Sequence, residues 1–354
     1  MGAQEMNPNL SYFANKFFPD SKSDLFAMFM ERSENFLKSK GFFALVTMES
    51  WMFIASYEKL RLKLLAKNSI VSMTHMDNMV MGIAFGTSAT IFNKISDSTK
   101  TGSYCHIEYK DLNDKKVPFK FPPENKRNLT SNSKDKFFWV ISKNFEKIPG
   151  SPIAYWISKK ISDLFIQNEF IGTKAKKGLT TGKNDQFIRY WFEPSINKFS
   201  VFKGQKWFPT TKGGKFRKWY GNFEFVLLWE EDGKDIKNFK FPNGKLRSVI
   251  RNKDYYYKSG LTWTGVSNSK ISIRFVPEGF IFNAAGPTIF TNDENGIIAS
   301  MNSKLIDSVS KFISPTLNFE VGQIQKYPIL KSSNRNRNIA QSCIDISKKD
   351  WDSF

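Results

Sequence analysis

The sequence predicts a mixed fold: an α/β first part resembling one half of a doubly wound, Rossmann-like sheet, then an α+β part that is mainly antiparallel β. Three observations predict it. Helical and strand-length apolar segments alternate over 20–92, a rhythm that belongs to a parallel sheet. From about 171 to 330, short aromatic segments alternate instead with Gly, Asn and Pro turns. The first part has only three or four strands, so one edge of its sheet is expected to be uncovered and the sheet incomplete.

The elements follow in order. Leu25, Phe26, Phe29, Ser33, Phe36 and Leu37 repeat at helical spacing, with Ser21 and Asp24 as a capping box before them and Gly41 placed to end the helix. The apolar run over 42–47 has the length of a buried strand. A second helix is expected at about 54–67, with Tyr57, Leu60 and Leu64 on its apolar face and Arg61, Lys63 and Lys67 off it. Short strands are expected over 70–73 and 88–92. The stretch 110–170 reads as an insertion or connector rich in Lys, Asn, Ser and Pro, with a short helix opening at Ser151-Pro152. Strand-like segments then lie at 207–208, 223–229, 271–275 and 280–283, and a helix near 297–313. The expected domains are 1–109, the connector 110–170, the β-rich 171–330, and a polar, peripheral tail over 331–354.

Charge narrows the function. Lys and Arg total 53 against 33 Asp and Glu, a net charge of +20. Such a surplus suits a polyanion, because each phosphate neutralised releases counterions. A generally basic, Lys-rich proteome would give the same sum. Two cysteines, Cys105 and Cys343, leave no disulfide framework and no cysteine-based zinc site. With His75 and His106 as the whole histidine supply, metal or triad chemistry is poorly provided for, and His106 reads as a core or rim residue. No apolar run approaches the roughly 18 residues of a membrane span. The expected setting is the cytosol.

No complete catalytic site is visible. Gly178-Leu179-Thr180-Thr181-Gly182-Lys183-Asn184 is not a phosphate loop: three residues separate its glycines, and Asn stands where a magnesium-binding Ser or Thr would be. Glu230-Glu231-Asp232 reads as a solvated turn. Asn7-Pro8 lacks a following Pro and Tyr.

The segment 212–221 is different. Lys212, Lys215, Arg217 and Lys218 interleave with Phe216, Trp219 and Tyr220, between Gly213-Gly214 and Gly221, whose bare backbones permit close approach to a ligand. Arg forks onto guanine or phosphate, Lys supplies a point charge, and Trp or Tyr stacks on a base. A hairpin with inward aromatics and solvated charges would read the same. Thr180, Thr181 and Asn184 suit hydrogen bonds to phosphate or base edges, or turn chemistry around Gly182. Trp263 reads as core.

Longer words carry a resemblance. The run 19–32 beginning Pro19-Asp20-Ser21-Lys22-Ser23-Asp24-Leu25-Phe26, the pieces Glu49-Ser50-Trp51-Met52-Phe53 and Ile148-Pro149-Gly150-Ser151-Pro152, and Gly213-Gly214-Lys215-Phe216-Arg217-Lys218-Trp219-Tyr220-Gly221 resemble the BREX (PglX-type) adenine-specific DNA methyltransferases of phage defence. So do Pro277-Glu278-Gly279-Phe280, Pro315-Thr316-Leu317-Asn318-Phe319 and the closing Ser347-Lys348-Lys349-Asp350-Trp351. Type IIG restriction-modification proteins share several of these words.

The resemblance implies an enzyme that binds S-adenosylmethionine, flips its target adenine out of duplex DNA and methylates N6. It places Met1 just after the family's catalytic Asn-Pro-Pro-Tyr motif, so this chain alone is expected to hold no catalytic residues and no cofactor. Residues 1–109 would then be the C-terminal half of the methyltransferase domain and 171–330 a target-recognition domain, with DNA contacts at Thr180, Thr181, Asn184, Lys212, Gly213, Gly214, Lys215, Arg217, Lys218, Trp219 and Tyr220. Expected partners are double-stranded DNA, the N-terminal methyltransferase half, and other BREX components or phage inhibitors. Three readings stay open: a DNA-recognition module inactive alone, an enzyme once a separate chain supplies the cofactor half, and a non-catalytic fragment kept for protein contacts.

Overall fold

The computed structural model describes residues 1–95, 99–116, 118, 136–199, 206–268, 270–314 and 317–353. The rest of the 110–170 stretch and the Pro315-Thr316 pair lie outside these residues. The chain divides into two compact units, Met1–Ile166 and Gln167–Phe354. Among the described residues no helix is long and apolar enough to cross a membrane.

The first unit runs α1 (Pro8–Phe17), α2 (Leu25–Asn35), β1 (Phe42–Met48), α3 (Glu58–Lys67), β2 (Ser69–Met76), β3 (Thr87–Asn93), β4 (Thr101–Ile107) and β5 (Phe137–Ile141), with α4 (Lys159–Gln167) at its end. The sheet order is β1-β3-β2-β4-β5. It is not the parallel sheet expected: β2/β4 is the parallel pair, and β1/β3, β2/β3 and β4/β5 are antiparallel. The crossover through α3 does leave β1 and β2 pointing the same way. The physical reason for the difference is β3, which turns back from β2 through the 77–86 loop and inserts between them, as an antiparallel neighbour can without a crossover helix. The stretch 110–170, read as a connector, supplies β5 to this sheet.

Helix ends also differ from expectation. Asp24, not Ser21, caps α2 by accepting from the Phe26 amide at 3.3 Å. Ser21 is buried and donates to Glu31 at 2.6 Å. The helix stops at Asn35, and the left-handed residue beyond it is Lys40 (φ 64°) rather than Gly41. Leu37 leaves the helix to pack on the core. Asn7 accepts from the Leu10 amide at 2.8 Å and Pro8 opens α1, so Asn7-Pro8 serves a helix cap. The helix expected to open at Ser151-Pro152 starts instead at Lys159, as α4 with Ile161 and Leu164; 151–154 is coil, and Ile153 and Tyr155 enter the core.

The core gathers Trp51, Leu60, Ile70, Phe92 and Tyr104. Arg61, expected off the apolar face, is buried with them. Its Nε and Nη2 donate to the Gly150 carbonyl at 3.0 and 2.6 Å, and Nη1 to the Trp51 and Ile54 carbonyls at 2.8 Å each. Burial pushes its pKa down to about 10. The run over 42–47 is buried on one side only: Phe42 and Val46 are exposed, at 60% and 59%.

The second unit runs β6 (Ala175–Lys176), α5 (Asn184–Phe187), β7 (Ile188–Tyr190), β8 (Trp207–Thr211), β9 (Phe225–Leu228), α6 (Glu230–Lys237), β10 (Gly260–Trp263), β11 (Ile273–Val276), β12 (Ile281–Phe282), β13 (Thr288–Ile289), α7 (Glu294–Met301), α8 (Lys304–Ile313), α9 (Val321–Ile324) and α10 (Asn334–Asp352). One sheet, β11-β10-β13-β6, is antiparallel throughout. The other, β12-β8-β9-β7, contains a parallel β12/β8 pair. The helix expected near 297–313 is two, broken where Ser303 caps α8. The tail expected to be peripheral is a helix of 19 residues whose Ala340 and Ile344 are buried. Trp263 is buried, its indole N–H donating to the Phe319 carbonyl at 2.8 Å.

Candidate nucleic-acid interface

The two sequence patches of the second unit meet on one strand of backbone. Leu179 donates to Phe282 and accepts from Ala284 on one side of 282–284, at 3.1 and 2.8 Å. On the other side Asn283 donates to the Thr211 carbonyl at 3.2 Å, and the Thr211 hydroxyl to the Gly286 carbonyl at 2.8 Å. A Cβ at Gly178 would overlap the Phe282 carbonyl, and one at Gly213 (φ +89°) would lie 2.9 Å from the Ala285 carbonyl. Both glycines permit this close packing of chains.

Within the first patch the side chains are partly engaged. Thr181 is buried and donates to Asn184 Oδ1 at 2.7 Å. Asn184 is exposed at the start of α5. Thr180 exchanges both backbone hydrogen bonds with Val249, 2.9 Å each, and its hydroxyl accepts from Arg251 Nη1 at 3.1 Å.

The 212–220 loop is tied down by its own ends. Trp219 sits at φ +75°, uncommon for an aromatic residue, and is held there by hydrogen bonds to β11: its amide donates to Ile273 O and its carbonyl accepts from Phe275 N. Beneath it Arg274 is buried, donating to the Arg217 carbonyl and the Thr264 hydroxyl at 3.3 Å each. Burial lowers its pKa to about 10, with Glu224 opposing. Tyr220 is buried edge-on against Phe223, centroids 5.1 Å apart, and burial pushes its phenol pKa up.

The cations differ in availability. Arg217 pairs with Asp350 of α10 at 2.8 Å and lies over Trp351; Lys218 donates to the Asn302 carbonyl at 2.8 Å; Lys212 lies 4.2 Å from the Phe225 ring centroid. Lys215 is exposed, as is Phe216, and Lys215 has no ion pair among the described residues. Tyr220 and Thr181 therefore hold the loops, while Asn184, Gly214 and Lys215 face solvent.

A third basic segment, 239–251, was not singled out from sequence. It carries Lys240, Lys245, Arg247 and Arg251 and is joined to the first patch through Val249 and Arg251. Asn243-Gly244 between strand-like residues is the signal that would have found it.

In the first unit, β2 and β4 align His75 with His106. Their rings lie 4.8 Å apart and nearly parallel, at 11°. His75 bridges Glu49 (2.5 Å) and the Tyr155 hydroxyl (3.0 Å), and His106 faces Asp77 at 2.7 Å. The ligand atoms of His75, Asp77 and His106 all lie within 4.8 Å, a set that could hold a metal ion. A metal binds in the plane of each imidazole, however, and two near-parallel rings do not converge on one point; each ring instead has its own carboxylate.

At the end of β1 the described residues form no glycine turn of the kind that would cradle S-adenosylmethionine. Such a cofactor needs a glycine turn carrying a strand into a helix. Here β1 passes directly into Glu49-Ser50-Trp51-Met52, where a Cβ on Gly86 would overlap the Glu49 carboxylate. No catalytic step is derived through it.

Comparison with known proteins gives consistent results. The family model for Eco57I restriction-modification methylase matches residues 1–80. Adenine-specific methyltransferase BrxX of Escherichia coli O9:H4 (strain HS) is 41% identical over 362 residues, covering 100% of this chain and 29% of that protein. Adenine-specific methyltransferase PglX of Lacticaseibacillus casei (strain Zhang) is 35% identical over 376 residues, covering 100% of this chain and 30% of that one. The chain thus spans just under a third of these relatives. The fold is similar to that of the type IIL restriction-modification enzyme MmeI, solved in complex with DNA, with a TM-score of 0.55, 12% identity, and coverage of 98% of this chain and 48% of that one. Over its whole length, the chain is similar in sequence to part of the BrxX and PglX adenine-specific methyltransferases of the BREX type, and its first 80 residues match the Eco57I restriction-modification methylase family.

Proposed function

We propose that the chain is the DNA-recognition portion of an S-adenosylmethionine-dependent, site-specific adenine-N6 methyltransferase of phage defence, working in the cytoplasm and inactive alone. Residues 1–109, with β5 (Phe137–Ile141) added from the 110–170 stretch, contribute the later part of the methyltransferase sheet, and 171–330 read the target. The observation that carries this is the docking of Leu179 and Thr211, the residues just before the Thr180-Thr181-Gly182 and 212–220 loops, on the two sides of the 282–286 backbone, in a chain of net charge +20. The similarity to MmeI, seen with DNA, supports it. Asn184, Gly214 and Lys215 contact the duplex first, with Thr180, Lys212, Gly213, Arg217, Lys218 and Trp219 around them; Thr181 and Tyr220 hold the loops in shape. The test is fluorescence anisotropy with a mixed-sequence duplex at rising KCl. Log affinity is expected to fall linearly with log salt; a flat line would contradict phosphate contacts.

A second reading is favoured by the open face of β1, where Phe42 and Val46 stand exposed. That face would seat the cofactor-bearing half and make the chain part of an active enzyme. Co-expression with the remaining segment of a full-length relative should then yield N6-methyladenine in host DNA. Its absence, with both pieces soluble and associated, would count against this reading.

A further inference from the structure

The segment 239–249 is a β-hairpin finger with a fixed root and an open tip. At the root, Phe239 and Ile250 pack on the core of the second unit, and the Ser248 hydroxyl donates to the Ile236 carbonyl at 2.5 Å. Lys240 pairs with Leu246, and the Arg247 amide donates to Phe239 O at 2.8 Å. The turn closes by Phe241 N donating to Lys245 O (2.8 Å) and Gly244 N to Phe241 O (2.9 Å), with Pro242 entering the turn and Gly244 at φ +80°. Asn243 Oδ1 accepts from the Lys245 amide at 3.1 Å. Pro, Asn and Gly are the residues such a turn requires, so its shape is set locally.

The chemistry of the tip is one-sided. Between 236 and 253 the sequence has no Asp or Glu. Lys240, Lys245 and Arg247 are exposed and have no ion pair among the described residues. Arg247 lies over the Phe239 and Phe241 rings, 5.5 and 5.1 Å from their centroids, which presents its guanidinium as a stacked, oriented fork. Phe241 and Leu246 are exposed beside these cations. Phe241 keeps 44% of its surface exposed while it stacks under Arg247, and Leu246 keeps 58%, so both leave apolar surface open at the tip. The root is joined to Thr180 through the paired Val249 backbone and the Arg251 hydrogen bond.

We propose that this finger enters the major groove of duplex DNA, with Lys240, Lys245 and Arg247 on the flanking phosphates and base edges and Phe241 and Leu246 against the groove floor. A two-stranded ribbon is what that groove admits, and thymine methyl groups there accept apolar contact. The inference rests on the reading of the second unit as DNA-binding, and adds a contact set outside the two sequence patches.

The test uses the 354-residue chain and a short mixed-sequence duplex. The combined variant Lys240→Ala, Lys245→Ala, Arg247→Ala should flatten the slope of log affinity against log salt by about 2 to 3, since each phosphate contributes roughly 0.9. The pair Phe241→Ala, Leu246→Ala should weaken binding severalfold with the slope unchanged. Glucosylated 5-hydroxymethylcytosine, which fills the major groove, should weaken the parent chain severalfold and a variant with all five side chains replaced by Ala hardly at all. An unchanged slope in the triple variant, while the parent binds salt-dependently, overturns the finger and leaves the wider reading standing. Equal affinity of the parent for both duplexes overturns the groove assignment. A parent that does not bind overturns both. All five side chains project from the finger, so an unaltered thermal midpoint certifies the variants as folded.

Discussion

Arg217 of the basic loop and Asp350 of α10 form an ion pair of 2.8 Å, and the same guanidinium lies 5.1 Å from the Trp351 ring centroid. The residue that best fits a DNA contact by sequence is thus held by a carboxylate that a phosphate would have to displace.

That competition has a sign. Asp350→Asn should free Arg217 and raise affinity for a mixed-sequence duplex, and Arg217→Ala should lower it. Both partners are partly exposed, so the pair is worth at most about 1 kcal/mol and the gain is no more than about fivefold. Anisotropy titration of both variants at one salt concentration checks it; lower affinity for Asp350→Asn would show that the ion pair orders the loop for binding.

Arg61 makes a stability prediction. Arg61→Leu removes donors to the Gly150, Trp51 and Ile54 carbonyls and should destabilise the first unit by about 3 kcal/mol, since buried acceptors left unpaired cost roughly 1 kcal/mol or more each. Urea unfolding followed by tryptophan fluorescence measures it. A change under about 0.5 kcal/mol would mean that water replaces the guanidinium.

Gly178→Ala should destabilise the second unit by about 2 kcal/mol or more, because the new methyl meets the Phe282 carbonyl and parts the 178–180 strand from 282–284. Gly322→Ala is the control: nothing lies within 4 Å of its added Cβ, and its place in α9 favours Ala. Equal melting shifts for the two would refute the close-packing argument.

Lys110 and Lys136 hold the Glu108 carboxyl down at about 2. A depressed folded pKa contributes stability that is present above the unfolded value near 4.3 and lost as pH falls towards 2. The urea midpoint of the parent should therefore decline over that window, and Lys136→Met should decline less steeply. Parallel pH profiles would remove Lys136 from the account.

What the sequence made legible was local or repeated. Strand-like runs at 42–47 and 88–92 became β1 and β3, because alternating or apolar runs need only short-range pattern to be read. Strand direction was not legible: inserting β3 between β1 and β2 is a long-range choice that leaves no local mark. Arg61 was misread because an isolated Arg on a helix is usually solvated, and its three carbonyl partners come from segments as distant as Gly150. At the candidate interface, the 180–184 and 212–220 patches are visible as compositions, but the docking of their flanking residues Leu179 and Thr211 at 282–286 depends on backbone pairing between segments far apart in sequence, Leu179 with Phe282 and Thr211 with Asn283. The 239–249 finger is marked in the sequence by Asn243-Gly244, but its charges are spaced rather than clustered and so give no compact basic motif.

The most direct test of the central claim is selection of bound duplexes from a random-sequence library by the purified chain, followed by sequencing. Enrichment of one short motif containing an adenine is expected, lost or broadened in the Lys240, Lys245 and Arg247 triple alanine variant. Recovery of duplexes with no enriched sequence would contradict a DNA-reading role for this chain.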